Sequence, residues 1–224
     1  MVAGGRAVST RERILLAALD QFSTRGFDAV SVRDIAYAVG IKESSLYNHF
    51  TNKQAIFDEI LREYANRWGG VFSGLRVAGE DGQFAVDERT VAMYRAMTAE
   101  QFMAMAVTIF DYYMTDEINV KLRKMLTIEQ YRSREIAALF RRISFEESIA
   151  YQTELFAALM HAGAFRVGDP HMMALAFFAP IFLIFYQFGG EPERLGEAKT
   201  LFLRHVAHFN QTYGVSAAER LSPL

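Results

Sequence analysis

A repeated punctuation constrains this chain more than any other feature: a hydroxyl residue, an acid or amide three positions later, then apolar residues at spacings of three and four. Ser9 with Glu12, Ser31 with Asp34, Thr51 with Gln54, Thr98 with Gln101, Thr127 with Gln130 and Ser144 with Glu147 all carry it. In that spacing the hydroxyl accepts a backbone N–H of the first helical turn and the acid or amide reaches back, so each pair marks a helix start. Asp169-Pro170 and Pro192 open two more helices, while Gly26, Gly40, Gly163 and Gly189-Gly190 are placed to end them. Period-two alternation is almost absent, so the expected fold is all-α. Helices are expected over 9–25, 31–38, 43–49, 52–68, 98–114, 116–126, 128–142, 145–162, 170–188 and 192–213, with a short one near 84–96. The Gly-rich stretch 69–82 separates an N-terminal domain, 1–51 with helix 52–68 as connector, from a larger C-terminal domain, 69–224.

Composition removes several function classes. With 224 residues and 51% hydrophobic content the chain can bury a sizeable core. It has no Cys, which excludes disulfides, iron–sulfur clusters and thiolate nucleophiles. There is no GxSxG, no HExxH and no glycine-rich phosphate loop. No cofactor and no enzymatic activity are expected. His205 and His208 lie at i, i+3, but a pair of histidines is a weak metal signal, and satisfied interface histidines are the commoner case. The N-terminus lacks a signal-peptide pattern. The apolar run Met172–Tyr186 is shorter than the roughly 20 residues a membrane helix needs, is interrupted by Pro180 and has no basic flank. It reads as a helix between protein surfaces, and the expected location is the cytoplasm without a membrane partner.

Residues 31–50 repay closer reading. Val32, Ile35, Ala36, Val39, Ile41, Leu46 and Phe50 fall where two short helices crossing steeply share a small core, and Gly40 suits the turn between them. This is a helix-turn-helix pattern. It leaves Lys42, Glu43, Ser44, Ser45, Tyr47, Asn48 and His49 facing outward, beside Arg33 and with Lys53 in the first turn of the next helix. Short polar donors, an amide and an aromatic suit base edges and phosphates. Taken singly, Ser44, Ser45 and Asn48 are better read as the solvated face of an ordinary helical hairpin, and it is the whole set that points to a nucleic acid. Residues 1–53 hold seven Lys and Arg against five Asp and Glu, whereas the rest of the chain is net acidic. That asymmetry is mild but points the same way.

Residues 10–61, with "FSTRGFDAVSVRDIA", "AVGI", "LYNHF" and "NKQAIF", resemble the DNA-binding domain of the TetR family of bacterial transcriptional regulators. The resemblance implies an all-α homodimer that presents two recognition helices to a palindromic operator. It also implies a variable C-terminal domain that binds a small effector and forms the dimer. On matching positions Arg33, Ser44, Ser45 and Asn48 become candidates for base edges, and Tyr47, His49 and Lys53 for the phosphate backbone, with Lys42 on the same face. The implied direction is repression relieved by ligand.

Beyond about residue 65 the residues must speak for themselves. "MMALAFFAPIFLIFYQF" is apolar all round and needs cover on more than one side, and the helix after Pro192 carries an apolar stripe. Together they suggest a four-helix dimer interface built from Phe182, Phe185, Leu201, Phe202, His205 and Phe209. Residues 98–163 are rich in Met, Phe and Tyr, which at helical spacing are usually core but can also line an adaptable cavity. A largely apolar or aromatic effector is expected, with Met103, Phe110, Tyr113, Tyr151, Met160, His161 and Phe178 as candidate contacts. Two rivals remain at this stage: a helical enzyme, and a non-specific DNA binder, which a net charge of -2 disfavours.

Overall fold

The computed structural model describes residues 8–74 and 86–215. In order the helices are α1 Thr10–Arg25, α2 Val32–Val39, α3 Glu43–Leu46, α4 Lys53–Gly74, α5 Glu88–Ala96, α6 Ala99–Met114, α7 Glu117–Glu129, α8 Arg134–Arg141, α9 Glu147–His161, α10 Pro170–Gln187 and α11 Leu195–Tyr213. Among the described residues extended pairing is limited to an isolated bridge between Phe165 and Gly214. The chain divides into two compact units. One comprises Met1–Trp68 with Glu117–Phe140, the other Gly69–Asp116 with Arg141–Leu224.

In the first unit, α1 contributes Ile14, Ala18, Leu19 and Phe22, α2 contributes Ile35, Ala36 and Val39, and α3 contributes Leu46 to one buried cluster. Ile56, Phe57 and Ile60 of α4 complete it together with Leu122 and Met125 of α7. The rings of Phe22, Phe27 and Phe57 meet at 5.2 to 6.0 Å, in tilted and edge-on arrangements that suit their quadrupoles. α7 is thus part of the small domain's core although it lies more than fifty residues away in sequence.

Among the described residues of the second unit, core aromatics gather in two places. Phe110 of α6 packs on Phe185 of α10 and Phe202 of α11, and Phe209 gathers Phe156, Phe165 and Phe177. Lys199 bridges from α11 to Asp111 of α6 at 2.9 Å.

Three capping boxes form as the spacing predicts, at Ser9, Ser31 and Thr98. Asp169 caps α10 with Pro170 at its first position. Three others do not form. At α4 the cap is Asn52, whose side chain accepts the Ala55 N–H at 2.8 Å, rather than Thr51. Thr127 is interior to α7 and its hydroxyl donates back to the Arg123 carbonyl, so the expected helix start at 128 moves to Arg134. Ser144 lies inside a π-helical turn, Arg142–Glu146, that joins α8 to α9 without a break. Helix α4 also continues through Gly69 and Gly70 to Gly74, so the expected Gly-rich border begins within a helix. Residues 75–82 of that border lie outside the described residues.

Candidate nucleic-acid interface

α2 and α3 are joined by a turn that only a left-handed residue closes well. Gly40 has φ 75° and ψ 33°, its N–H reaches the carbonyls of Ala36 and Tyr37, and the Ile41 N–H also bonds the Ala36 carbonyl. This double bond pattern satisfies the last carbonyls of α2. Arg13 of α1 donates to the Val39 carbonyl and fixes the same helix end. α3 then runs from Glu43 to Leu46 and tightens into shorter-range bonds, Asn48 N–H to Ser45 and His49 N–H to Leu46. The expected helix over 43–49 is therefore a single α-turn followed by turns.

Leu46 and Phe50 point into the core, which presents the rest of the segment outward. Lys42, Glu43, Ser44, Asn48 and His49 are exposed, Tyr47 is 48% exposed and Ser45 is partly covered. Arg33 is exposed on α2. The electrostatics separate this face from its surroundings. Arg11 and Arg62 pair with Glu59, Arg25 lies near Asp34, and Arg13 is bonded to backbone. Arg33 and Lys42 have no ion-pair partner among the described residues, and both lie on this face. Asp34 is occupied by the Ser31 N–H and hydroxyl at 2.9 and 2.8 Å, and these bonds, with Arg25 and Arg33 nearby, hold its carboxyl below the usual range.

Lys53 is placed differently from the phosphate clamp the sequence suggests. Its ammonium donates to the carbonyls of Phe27 and Val30, both at 2.7 Å, and sits 4.2 Å from the Phe27 ring centre. Two of its three donors tie the α1–α2 loop to α4. The N–H side of that loop is held by Glu129 at the end of α7, which accepts the Phe27 N–H at 2.8 Å while only 3% exposed. Arg132 bridges to Asp28 at 3.2 Å beside it. Sequence reasoning did not find Glu129, because nothing local marks a partner a hundred residues away. It also passed over Tyr37, 88% exposed on α2, although an aromatic off the apolar stripe of Ile35, Ala36 and Val39 was a readable signal.

In the second unit, Met103, Phe110 and Tyr113 do come together, around Phe185 and Phe202, with Tyr113 stacked on Phe185 at 4.8 Å. Tyr151 lies apart from them, opposite Tyr94, and burial pushes both phenols up from their ordinary value. Phe178 joins a row with Phe182 and Tyr186. Met160 is partly covered and His161 is exposed at the end of α9. Of the residues expected at a subunit interface, Phe185, Phe202 and Phe209 are consumed by the core of their own chain. His205 donates its Nε2 proton to the Phe177 carbonyl at 2.8 Å, since a carbonyl can only accept. Phe182 is partly exposed and Leu201 is 40% exposed. Leu183, which the sequence reading left out, is 62% exposed on α10.

A short helix pair joined by a left-handed glycine turn, with an outward polar segment and a second helical unit in an all-α chain, defines a helix-turn-helix protein. Residues 14–60, the helix-turn-helix domain, match the family model described as "Bacterial regulatory proteins, tetR family". The chain is 36% identical over 89 residues to the HTH-type transcriptional repressor KstR2 of Rhodococcus jostii, a match covering 40% of this chain and 44% of that one. The chain thus spans less than half the length of that curated relative. A TetR-family regulator structure from Mesorhizobium loti aligns with TM-score 0.64 at 22% identity, over 95% of this chain and all of the other. The complex of SmeT with triclosan aligns with TM-score 0.62 at 21% identity, over 96% and 98%; SmeT is the repressor of a Stenotrophomonas maltophilia multidrug efflux pump. At these identities the two structures speak for the fold.

Proposed function

We propose that this protein is a ligand-responsive transcriptional regulator that binds a palindromic operator as a homodimer and is released by a small, uncharged, largely apolar or aromatic effector. The observation that carries the reading is the exposure of Arg33 and Lys42 with no ion pair of their own among the described residues. Arg11, Arg13, Arg25, Lys53 and Arg62 are engaged within the protein, while these two form no ion pair among the described residues and stand exposed with Ser44, Asn48, Tyr47 and His49. Phosphates are the partner that such a face lacks, and the exposed amide and hydroxyls can read base edges. Lys53 stays in the proposal through its third N–H and its place in the first turn of α4. The similarity to proteins named repressors and regulators supports a non-enzymatic role in the cytoplasm.

The dimer reading rests on α10. That helix has a mean hydropathy of 1.4, enough by length and composition to cross a bilayer, yet only 28% of it is buried within the chain. A second copy would cover Phe182, Leu183 and Tyr186 together with Leu201 of α11, and would space two recognition helices about one DNA turn, roughly 34 Å, apart. The effector reading rests on the Met103, Phe110 and Tyr113 cluster and the Tyr94–Tyr151 pair. Among the described residues of the second unit Thr90 is the buried polar group, with no buried cation to balance an anionic ligand. The SmeT–triclosan complex supports a small organic molecule as a ligand this fold accepts. An effector favouring one spacing of the recognition helices by about 1–3 kcal/mol would shift operator affinity from several-fold to around a hundredfold.

Selection of bound duplexes from a random pool, followed by titration at two salt concentrations, tests the reading. A palindromic winner with a steep salt slope is expected, since each phosphate neutralised adds about 0.9 to the slope of log affinity against log salt. Equal retention of unrelated duplexes, or turnover of a small molecule without DNA, would overturn it.

A further inference from the structure

Tyr37 is a large aromatic in the middle of a small, otherwise economical domain, and it is 88% exposed. Its helix has no structural use for it there: Ile35, Ala36 and Val39 supply the buried face of α2, and the N-terminus is capped by Ser31 with Asp34. Position 37 is one turn after Arg33, so the two side chains are neighbours on the same outer face. Between this face and the start of α3 lies an open groove of about 360 Å³ lined by Arg33, Asp34, Ala36, Tyr37, Ile41 and Glu43. In helix-turn-helix docking the first helix crosses the DNA backbone while the second enters the groove.

We propose that Tyr37 is a second-helix phosphate contact: its hydroxyl donates to a backbone phosphate flanking each half-site, next to the phosphate neutralised by Arg33, and so extends the footprint of the domain beyond the recognition turn. The proposal rests on the operator-binding reading above. The chemistry of the groove favours a neutral donor at this point. Asp34 and Glu43 line it, and a cation at position 37 would be drawn to those carboxylates, whereas a phenol offers one O–H directed outward and no charge for them to neutralise. The proposal keeps Arg33 on the phosphate backbone, the role given to it above, and not on a base edge.

A neutral donor and a cation leave different signatures. Losing a cation lowers the number of counterions released and flattens the salt slope, whereas losing a phenol O–H weakens binding at every salt concentration by the same factor. The experiment titrates the duplex selected above with wild type, Tyr37→Phe, Tyr37→Ala and Arg33→Ala. It then repeats wild type and Tyr37→Phe on duplexes carrying one uncharged methylphosphonate at successive backbone positions. Tyr37→Phe is expected to weaken binding about three- to tenfold per half-site, hence roughly ten- to hundredfold for a dimer, with unchanged base preference and unchanged salt slope. Arg33→Ala is expected to flatten the slope. One methylphosphonate position should weaken wild type and add little for Tyr37→Phe, the non-additivity that marks a direct pair. An exposed Tyr→Phe change leaves folding intact, so equal affinity of Tyr37→Phe and wild type overturns the proposal. A changed base preference also overturns it and makes Tyr37 a base reader. Failure of wild type to retain any selected duplex removes the operator reading itself, and the proposal with it.

Discussion

Replacing Glu129 by Ala tests whether α7 is an integral part of the small domain. The Glu129 carboxylate is 3% exposed and accepts the Phe27 N–H at 2.8 Å. It also fills the space beside Gly26, where a Cβ would meet Glu129 Oε1 at 3.2 Å. Truncation leaves the Phe27 N–H without an acceptor, at a cost of about 1–3 kcal/mol, and opens a void of side-chain size. Against this, a buried carboxylate no longer has to be desolvated beside Arg132, 3.9 Å away. The net expectation is a loss of about 2 kcal/mol, roughly 30-fold in the folded-to-unfolded ratio. Urea unfolding should show the midpoint falling by about 1 M, with a slope typical of a domain this size, and amide exchange at Phe27 should accelerate. Glu129→Gln keeps a carbonyl acceptor at the same reach and should cost less than about 1 kcal/mol. A midpoint within about 0.2 M of wild type for the Ala variant would refute the latch. So would equal damage from Gln and Ala, because charge rather than the acceptor would then be what matters.

Three further outcomes are expected. Gly40→Ala meets no atom within 4 Å, so its cost is the left-handed backbone alone, about 1 kcal/mol, measurable by thermal unfolding with the core otherwise intact. Glu59 is held below the ordinary carboxyl value of 4.5 chiefly by the Arg11 hydrogen bond, with burial opposing and the charges of Arg11 and Arg62 assisting. A depressed folded value means its contribution is complete above about pH 4.5 and is lost as the pH falls from there through the folded value, so Glu59→Gln should flatten the acid limb of the stability curve. Finally, Leu183→Glu combined with Leu201→Glu alters exposed positions of one chain and should convert a dimer to a monomer of unchanged helicity, read by light scattering and circular dichroism; a dimer that persists would place the interface elsewhere.

What the sequence determined by itself was everything decided within one helical turn. A capping box is closed by residues three apart, so Ser9, Ser31 and Thr98 could be read directly, as could the turn at Gly40, whose demand is a single positive φ. The outward set from Lys42 to His49 followed from the apolar stripe of Leu46 and Phe50, because burying one face of a short helix leaves only the other. The same local rules misled where the chain had a tertiary alternative. Thr127 bonds back to Arg123 because packing against α1 carries α7 past it, and Ser144 sits in a π turn because α8 and α9 run on as one. Lys53 and Glu129 acquired their partners, and Phe185, Phe202 and Phe209 their places inside rather than between subunits, through contacts over tens of residues or more. Such contacts depend on which surfaces the folded helices bring together, and a hydrogen-bonding or apolar side chain carries no record of the distant group that will satisfy it.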